Sequence, residues 1–556
     1  MKFSVKTMHC TKTHLRRENI SSGRVFLSGV MVLTLSTILV KVIGLLYKIP
    51  MLRLLGSEGM GYFNAAYEWY ATLCVIATSG LPLASSILIA RAGERKTEIQ
   101  QIERLSWRVF GCLGVIGTLF LLFGASTIAR AIGSPNTKFA IAAVAPTMLF
   151  SCLSGAYRGY FQGHQNMIPT AVSQVIEAAG KLLFGLLFAF FAKRRGLDTA
   201  QIAACAMLGL SLGVAISFVY LAFKRKYDSS LSADELSADG KDCPMSGSRL
   251  FRQLLGIAVP ITISSSVMNV TRLFDMAMIL RRLQHLGYHT AEANALYGGY
   301  TTMAVPIFSL IPSLITSVSL ALVPTLTAAI KTGDSQTQKA SAGSAIRLTA
   351  LLSLPASFAV VIYSKSILSL LFGNAPEVSS AAPMLSVLAM SIFFSGIITT
   401  TNAILQAYGH TRAPICSMLI GSVVKLLGAY VLIGLPGIHI YGAPISTFLC
   451  DTVIVGINFS LIAKHTDVLP SLRRALGRPL IVSFFAVGIP GVLYAALVLG
   501  GYSHINLFFA SVPVTLAIYL VLCLRIGLVG KEELSMLPRG ISRRLERICR
   551  VSPKNE

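Results

Sequence analysis

Apolar runs recur along the chain from residue 25 to residue 528, and short polar or glycine-containing turns separate them. Each run is close to the roughly 20 apolar residues that a helix needs to cross the hydrocarbon core of a bilayer. The pattern predicts about fourteen membrane-spanning helices. They fall near 25–49, 62–90, 107–132, 138–161, 168–192, 199–223, 252–280, 294–328, 345–370, 381–405, 413–435, 440–463, 479–500 and 505–528. The expected fold is therefore an all-α polytopic membrane protein. Its longest polar stretch, 224–251, carries Asp228, Asp234, Glu235, Asp239 and Asp242 and reads as a solvated linker. The linker divides a first six-helix lobe (25–223) from a second (252–463). Two extra helices follow (479–528), and basic tails flank the whole (1–24 and 529–556). The first run is too long for a signal-peptide core and lacks a small-residue cleavage site, so it reads as a retained span.

Two segments echo each other. Residues 162–183 read QGHQNMIPTAVSQVIEAAGKLL and residues 406–427 read QAYGHTRAPICSMLIGSVVKLL. Aligned without a gap, they match Gln162 with Gln406 and Lys181-Leu182-Leu183 with Lys425-Leu426-Leu427. Both begin at a turn that enters the fifth span of a lobe. Two lobes related by a repeat are a common transporter plan, with the substrate site near mid-membrane. Prolines stand well inside several spans: Pro82, Pro260, Pro306, Pro312, Pro355 and Pro383. Each frees a carbonyl that needs protein or a water-filled cavity, and each reads either as kinked packing or as a bending point in transport.

Composition agrees with this solvent. Hydrophobic residues are 54% and charged residues 13% of 556 positions, and the mean hydropathy is +0.69. A soluble surface needs about twice that share of charge. The net charge of +25 is unevenly placed. About 33 of the 48 Lys and Arg fall in the tails and on one set of alternate loops, against about 9 on the opposite set. That asymmetry puts both termini in the cytoplasm of a bacterial cell and suits anionic lipid headgroups; no nucleic-acid partner is needed to explain it. The basic segment 542–550 reads as a short interfacial helix. The ten cysteines include no Cys-x-x-Cys pair, and the nine histidines lack ligand spacing, so neither a disulfide framework nor a metal site is expected.

Ionisable side chains inside spans carry the functional signal, because each costs at least about 2.5–3.5 kcal/mol at the bilayer centre. They are Lys41 and Lys48, Glu68, Glu177 and Lys181, Arg272 and Asp275, Lys425 and Asp451. Spacing makes Glu177–Lys181 and Arg272–Asp275 candidate pairs within one helix, either structural or ion-coupling. Lys41 and Lys425 have no acidic neighbour at helical spacing. Lys41 and Lys48, seven apart, share a face; Lys48, nearer the end of its span, reads equally as a snorkelling residue. Lys41, Lys48, Arg272 and Lys425 are the candidate substrate cations.

The stretch LSTILVKVIGLLYKIPMLRLLGSEGMGYFNAAYEWY (35–70) resembles the opening of the stage V sporulation protein B group. That group belongs to the polysaccharide-transporter branch of the multidrug/oligosaccharidyl-lipid/polysaccharide exporter superfamily. TSGLPLASSILIAR (78–91), RLFDMAMILRRLQHLG (272–287) and ALYGGYTTMAVPIFSLIPSLITSVSLALVPTL (295–326) fit as well. The resemblance implies alternating access by two lobes around a cationic cavity. The substrate would be an undecaprenyl-pyrophosphate-linked saccharide, such as the peptidoglycan precursor of spore cortex, with its lipid tail along the last two helices. Lys41 then falls on a first-span cation of the related lipid II flippases and Lys48 close to a second. Where those flippases carry further arginines, this chain reads Leu73-Cys74-Val75 and Gly299-Tyr300-Thr301.

A drug or organic-cation antiporter would use cavity carboxylates, for which Glu68, Asp275 and Asp451 are the candidates. A membrane enzyme would need clustered carboxylates for a metal or a phosphate loop, and neither Asp-x-Asp, His-Glu-x-x-His nor a P-loop occurs. The chain is therefore expected to be a transporter without cofactor, driven by an ion gradient or the membrane potential.

Overall fold

The computed structural model of the chain describes residues 5–93, 95–228, 246–373, 375–466, 468 and 473–528, with side chains described from residue 32 onward except at 34, 317, 318, 320, 321, 324 and 474. Most of the linker and the basic C-terminal tail, including 542–550, lie outside the described residues. Among the described residues the chain is helical throughout, with no strand. The helices are α1 (Val5–Thr78), α2 (Gly80–Ala92), α3 (Lys96–Ala131), α4 (Lys138–Gly163), α5 (Ile168–Arg194), α6 (Thr199–Lys226) and α7 (Gly247–His285). They continue with α8 (Thr290–Gly299), α9 (Val305–Thr332), α10 (Ser335–Phe372), α11 (Glu377–Ala407), α12 (Arg412–Ile433), α13 (Gly442–His465), α14 (Arg478–Leu499) and α15 (His504–Arg525).

Thirteen stretches among the described residues are long and apolar enough to cross a membrane. The first, Leu35–Ala92, has 58 residues. At 1.5 Å per residue it would reach about 87 Å, nearly three times the hydrocarbon thickness. Gly56 breaks it with φ 68° and ψ 176°, a left-handed conformation that glycine adopts without a Cβ penalty. The ammonium of Lys193 on α5 donates to the carbonyls of Arg53 and Leu54 (3.1 and 2.8 Å), just before the break. Read as two passes, this stretch brings the count to fourteen, in register with the apolar pattern. The first pass runs on through Pro50 to Gly56, so Lys48 lies two turns inside the helix and not at its end.

The chain forms two compact units, Met1–Leu273 and Phe274–Glu556. The division falls inside α7, later than the linker read at 224–251. Two contacts within the first unit account for the difference. A Cβ on Gly80 would collide with the Ala258 carbonyl of α7, and the Thr72 hydroxyl donates to the Asn269 carbonyl (3.3 Å). In the same unit α5 and α6 meet along a small-residue seam. A Cβ on Gly180 would stand 2.5 Å from Gly213 Cα, and one on Gly213 would stand 2.8 Å from the Lys181 amide nitrogen. Close backbone approach of this kind replaces the hydrophobic drive that lipid removes.

The sequence echo has a backbone counterpart in each unit. After α4, Gln165 N–H donates to Gln162 O and Asn166 N–H to Phe161 O (3.0 and 2.9 Å). After α11, Gly409 N–H donates to Gln406 O and His410 N–H to Leu405 O at the same distances. Gln165 and Gly409, which the alignment matches, both have positive φ (58° and 82°). In the second unit a π-helical turn, Tyr300–Ala304, interrupts the eighth span just before Pro306. A wider turn there accommodates the backbone donor that the proline lacks.

Two stability predictions follow from these contacts. Gly213→Ala should destabilise the protein by about 1–3 kcal/mol through overpacking. Gly256→Ala, where an added Cβ meets nothing within 4 Å, should be neutral or stabilising. Thermal unfolding in detergent, monitored by helical circular dichroism, compares them. Outside the spans, Asp334 caps α10, accepting from the Thr337 hydroxyl (2.5 Å) and the Thr337 amide (3.0 Å). These bonds hold its carboxyl below the usual carboxylate range, the hydroxyl most. A depressed folded-state value gives a contribution present above the unfolded value of about 4 and lost as pH falls through the folded one. Amide exchange at Thr337, corrected for its intrinsic rate, should therefore accelerate on acidification, and Asp334→Ala should abolish that response.

Candidate substrate-binding site

In the first unit, α1 and α5 bring cations and rings together. The Lys181 ammonium lies 4.3 Å from the ring centroid of Tyr67, 5.2 Å from Tyr47 and 5.4 Å from Phe63. Cation–π attraction of this kind is worth about 0.5–2 kcal/mol. Gly185 on α5 admits the Tyr47 ring, since a Cβ there would stand 2.9 Å from its hydroxyl. Lys48 is within electrostatic reach of Lys181 and of Glu68, and Lys41 within reach of Arg272. Lys41, Lys48, Glu68 and Lys181 are partly buried, and Arg272 is exposed.

Glu177 does not pair with Lys181, four residues away on the same helix. It takes Arg158 of α4 instead, with Nη2 to Oε2 at 3.1 Å, while Arg158 Nε–H donates to the Ser173 hydroxyl at 3.0 Å. The planar guanidinium can satisfy both acceptors at once, which an ammonium held among three rings cannot. A polar cavity of about 230 Å³ opens beside this pair, lined by Tyr70, Cys74, Ser151, Arg158, Gln174 and Glu177. Cys74 belongs to the Leu73-Cys74-Val75 stretch, where the resemblance implies a cation that this chain lacks, and Arg158 is within its electrostatic reach. Arg158 went unread in the sequence because it stands three residues from the end of its predicted span, where a basic residue is ordinary.

In the second unit, Asp275 pairs with Lys425 of α12 (2.9 Å) and not with Arg272, three residues back. Arg272 belongs to the first unit. Both partners are nearly buried, at 12% and 9% side-chain exposure, so each covers the other's charge where water cannot. Asp275 Oδ1 is buried with no hydrogen-bond partner among the described residues. Asp451 on α13 accepts from the Ser395 hydroxyl of α11 at 2.5 Å and lies within electrostatic reach of Lys425. The π-helical turn sets Tyr300 near Asp275, Lys425 and Asp451.

The last two helices join the second unit through α10. Tyr363 hydrogen-bonds Ser511, and Ser366 hydrogen-bonds Tyr494 at 2.5 Å. Between α14 and α15 runs an almost wholly apolar groove of about 320 Å³, lined by Ile489, Leu493, Leu497, Leu507 and Val514 among others.

A family model described as polysaccharide biosynthesis protein matches residues 26–330, more than half of the chain. The chain belongs to that family. It is thus in the polysaccharide-transporter branch of the exporter superfamily, as the resemblance of its first spans implies. A second model, MatE, matches residues 298–431. The stage V sporulation protein B of Bacillus subtilis (strain 168) is 27% identical over 524 residues, which cover 92% of this chain and 98% of that protein. The Lipid II flippase MurJ of the same organism is 26% identical over 461 residues, covering 79% and 82%. Among solved structures, Lipid II flippase MurJ in an inward closed conformation superposes with a TM-score of 0.65 at 14% identity, over 88% of this chain and 98% of that one. At that identity the superposition establishes a shared fold.

The buried pair in the second unit yields a prediction. Asp275→Leu should cost little, since Asp451 stays within electrostatic reach of Lys425, whereas Lys425→Met should cost about 3–5 kcal/mol, because it leaves Asp275 buried without its cation. The double variant Lys425→Met/Asp275→Leu should recover most of that loss. A double-mutant cycle on thermal unfolding measures the coupling.

Proposed function

We propose that this protein is a transporter, not an enzyme, that moves an undecaprenyl-pyrophosphate-linked saccharide across the bacterial cytoplasmic membrane by alternating access. The peptidoglycan precursor lipid II is the leading candidate, with a place in spore cortex formation suggested by the name of the sporulation relative. Both termini would be cytoplasmic, and anionic lipids would contact the basic rim.

The charge of the first unit carries this reading. Among the described residues around the polar cavity and the Lys181 cluster, Lys41, Lys48, Arg158, Lys181 and Arg272 stand against Glu68 and Glu177, five cations to two anions. In a bundle that minimises intramembrane charge, such a surplus is a functional signal, and a pyrophosphate supplies the missing negative charge. Arg158 and Lys181 add to the cations carried over from the resemblance, Lys41 and Lys48. Arg272 is a weaker candidate, and Lys425 is already matched by Asp275. The groove between α14 and α15 suits the polyprenyl tail: it is apolar along its length and flanked by exposed Ile489, Leu493 and Val514. Energy would come from an ion gradient or the membrane potential.

One observation favours a second reading. In the second unit Asp275 and Asp451 outnumber Lys425, and the MatE match covers part of that region. An organic-cation antiporter would bind its substrate at such carboxylates.

Complementation of a strain depleted of its lipid II flippase, together with lipid II translocation in proteoliposomes, separates the two. Lys41→Ala, Lys48→Ala and Lys181→Ala should each slow translocation about tenfold or more, since a charge-assisted contact is worth about 1.5–3 kcal/mol. Lys41→Arg should keep most of the rate. Absence of lipid II translocation by the purified protein, with Lys41→Ala fully active in cells, would defeat the proposal.

A further inference from the structure

The second unit holds a line of polar contacts that the cation cluster of the first unit does not use. Helices α11 and α13 meet in three polar rungs. Ser395 donates to Asp451 at 2.5 Å. Asn458 donates to Asn402 at 2.9 Å and to the Thr401 hydroxyl at 3.0 Å. His410 and His465 face each other with ring centroids 4.7 Å apart. On α13 the rungs are seven residues apart, Asp451, Asn458 and His465, so they follow one face with about 20° of drift per step. On the other side Ser395 and Asn402 are also seven apart, and His410 follows just past the end of α11. Asp451 lies nine residues into α13, about 14 Å along it and so near mid-span. The histidines are exposed, whereas Asp451 and Asn458 are buried.

Charge around the innermost rung does not balance. The groups that face Asp451 are Ser395 from α11, Lys425 from α12, Tyr300 from the π-helical turn and Cys450 beside it; Asp275 of α7 lies beyond, on Lys425. Two carboxylates share one ammonium, which leaves one negative charge at a depth where an unmatched charge is costly. A metal cation is a poor candidate to cancel it. Among the described residues no group of three or more His, Cys, Asp or Glu gathers here to hold a multivalent ion. Lys425 would also repel it. A proton needs one oxygen.

We propose that Asp451 is a proton-binding site, loaded and emptied from the side marked by His410 and His465 through the seam between α11 and α13. The proton bonds to a carboxylate oxygen of Asp451 and leaves as hydronium, with no other bond made or broken. When it is bound, the cluster of Asp275, Lys425 and Asp451 is neutral; when it is absent, the second unit carries one buried negative charge. Such a two-state element supplies the site at which a proton gradient would drive the transport cycle. That link to transport rests on the function proposed above, whereas the site itself does not.

The test is infrared difference spectroscopy of the whole protein in vesicles of uniform orientation, titrated with pH and without any saccharide substrate. The wild type should show one buried protonated-carboxyl band that appears on acidification of the compartment facing His410 and His465. Asp451→Asn should remove it, and Glu292→Gln at the end of α8 should leave it unchanged. Should Asp451→Asn fail to fold, Ser395→Ala keeps the carboxyl and removes only its hydrogen bond, so the band should persist but shift in frequency. A titrating band unaffected by Asp451→Asn or by Ser395→Ala would overturn the assignment. So would the absence of any titrating band, a band that follows sodium and not pH, or a response only to the opposite compartment. Normal titration with no lipid II movement would count against the transport reading alone.

Discussion

A charged side chain in hydrocarbon needs a partner from somewhere, and in this chain the partner generally comes from another helix. Arg158 of α4 reaches Glu177 of α5, and Lys425 of α12 reaches Asp275 of α7. Each pair joins two different helices, so each fixes register as well as charge. The small-residue seams do the remaining work of bringing backbones close enough for the pairs to form. Gly180 and Gly213 let α5 lie on α6, and the depth at which Lys181 meets its three rings depends on that approach. Disturbing the seam would therefore move Lys181 as well as loosen a contact.

The arrangement was unevenly legible in the sequence. Fourteen passes could be read because the apolar run length is set by the bilayer, a constraint local to each helix. The repeat could be read from Gln162 and Gln406, and the turns that follow them have the same hydrogen bonds. The ion pairs could not. Spacing along a helix suggests Glu177 with Lys181 and Arg272 with Asp275, because i and i+3 or i+4 are the only neighbours a single helix reveals. Tertiary packing offers better acceptors and donors across helices, and it takes them. The turn at Tyr300 was not legible for a related reason, whereas the break at Gly56 falls in the gap between the first two predicted spans. A π-helical turn leaves the average hydropathy of a span untouched, while it redirects the side chains on either side.

The repeat also shows how one scaffold carries two kinds of chemistry. Counting back from Gln162 and Gln406, Ser151 matches Ser395 and Arg158 matches Asn402. In the first unit Ser151 hydrogen-bonds Tyr70 at 2.7 Å and Arg158 lines the polar cavity. In the second unit Ser395 serves a carboxylate, and Asn402 joins a chain of neutral amides and hydroxyls. The matched lysines diverge in the same sense: Lys181 rests on aromatic rings, and Lys425 is neutralised by Asp275. Substituting few positions on one backbone plan has thus left the buried cluster of the first unit with a positive balance and that of the second, Asp275, Lys425 and Asp451, with a negative one.

That opposition bears on how a transport cycle could be driven. Under the proposed function, the cation-rich cluster of the first unit would hold an anion without consuming protons, and the carboxylates of the second would respond to pH and repel the anion. Two separate units can then be biased by two separate gradients. Coupling between them needs only that the bundle adopt two conformations whose relative stability depends on both occupancies. If both functions shared one cluster, protonating the acids would change the affinity for the anion directly, and loading and release could not be set independently. Separation of the two charge balances removes that conflict.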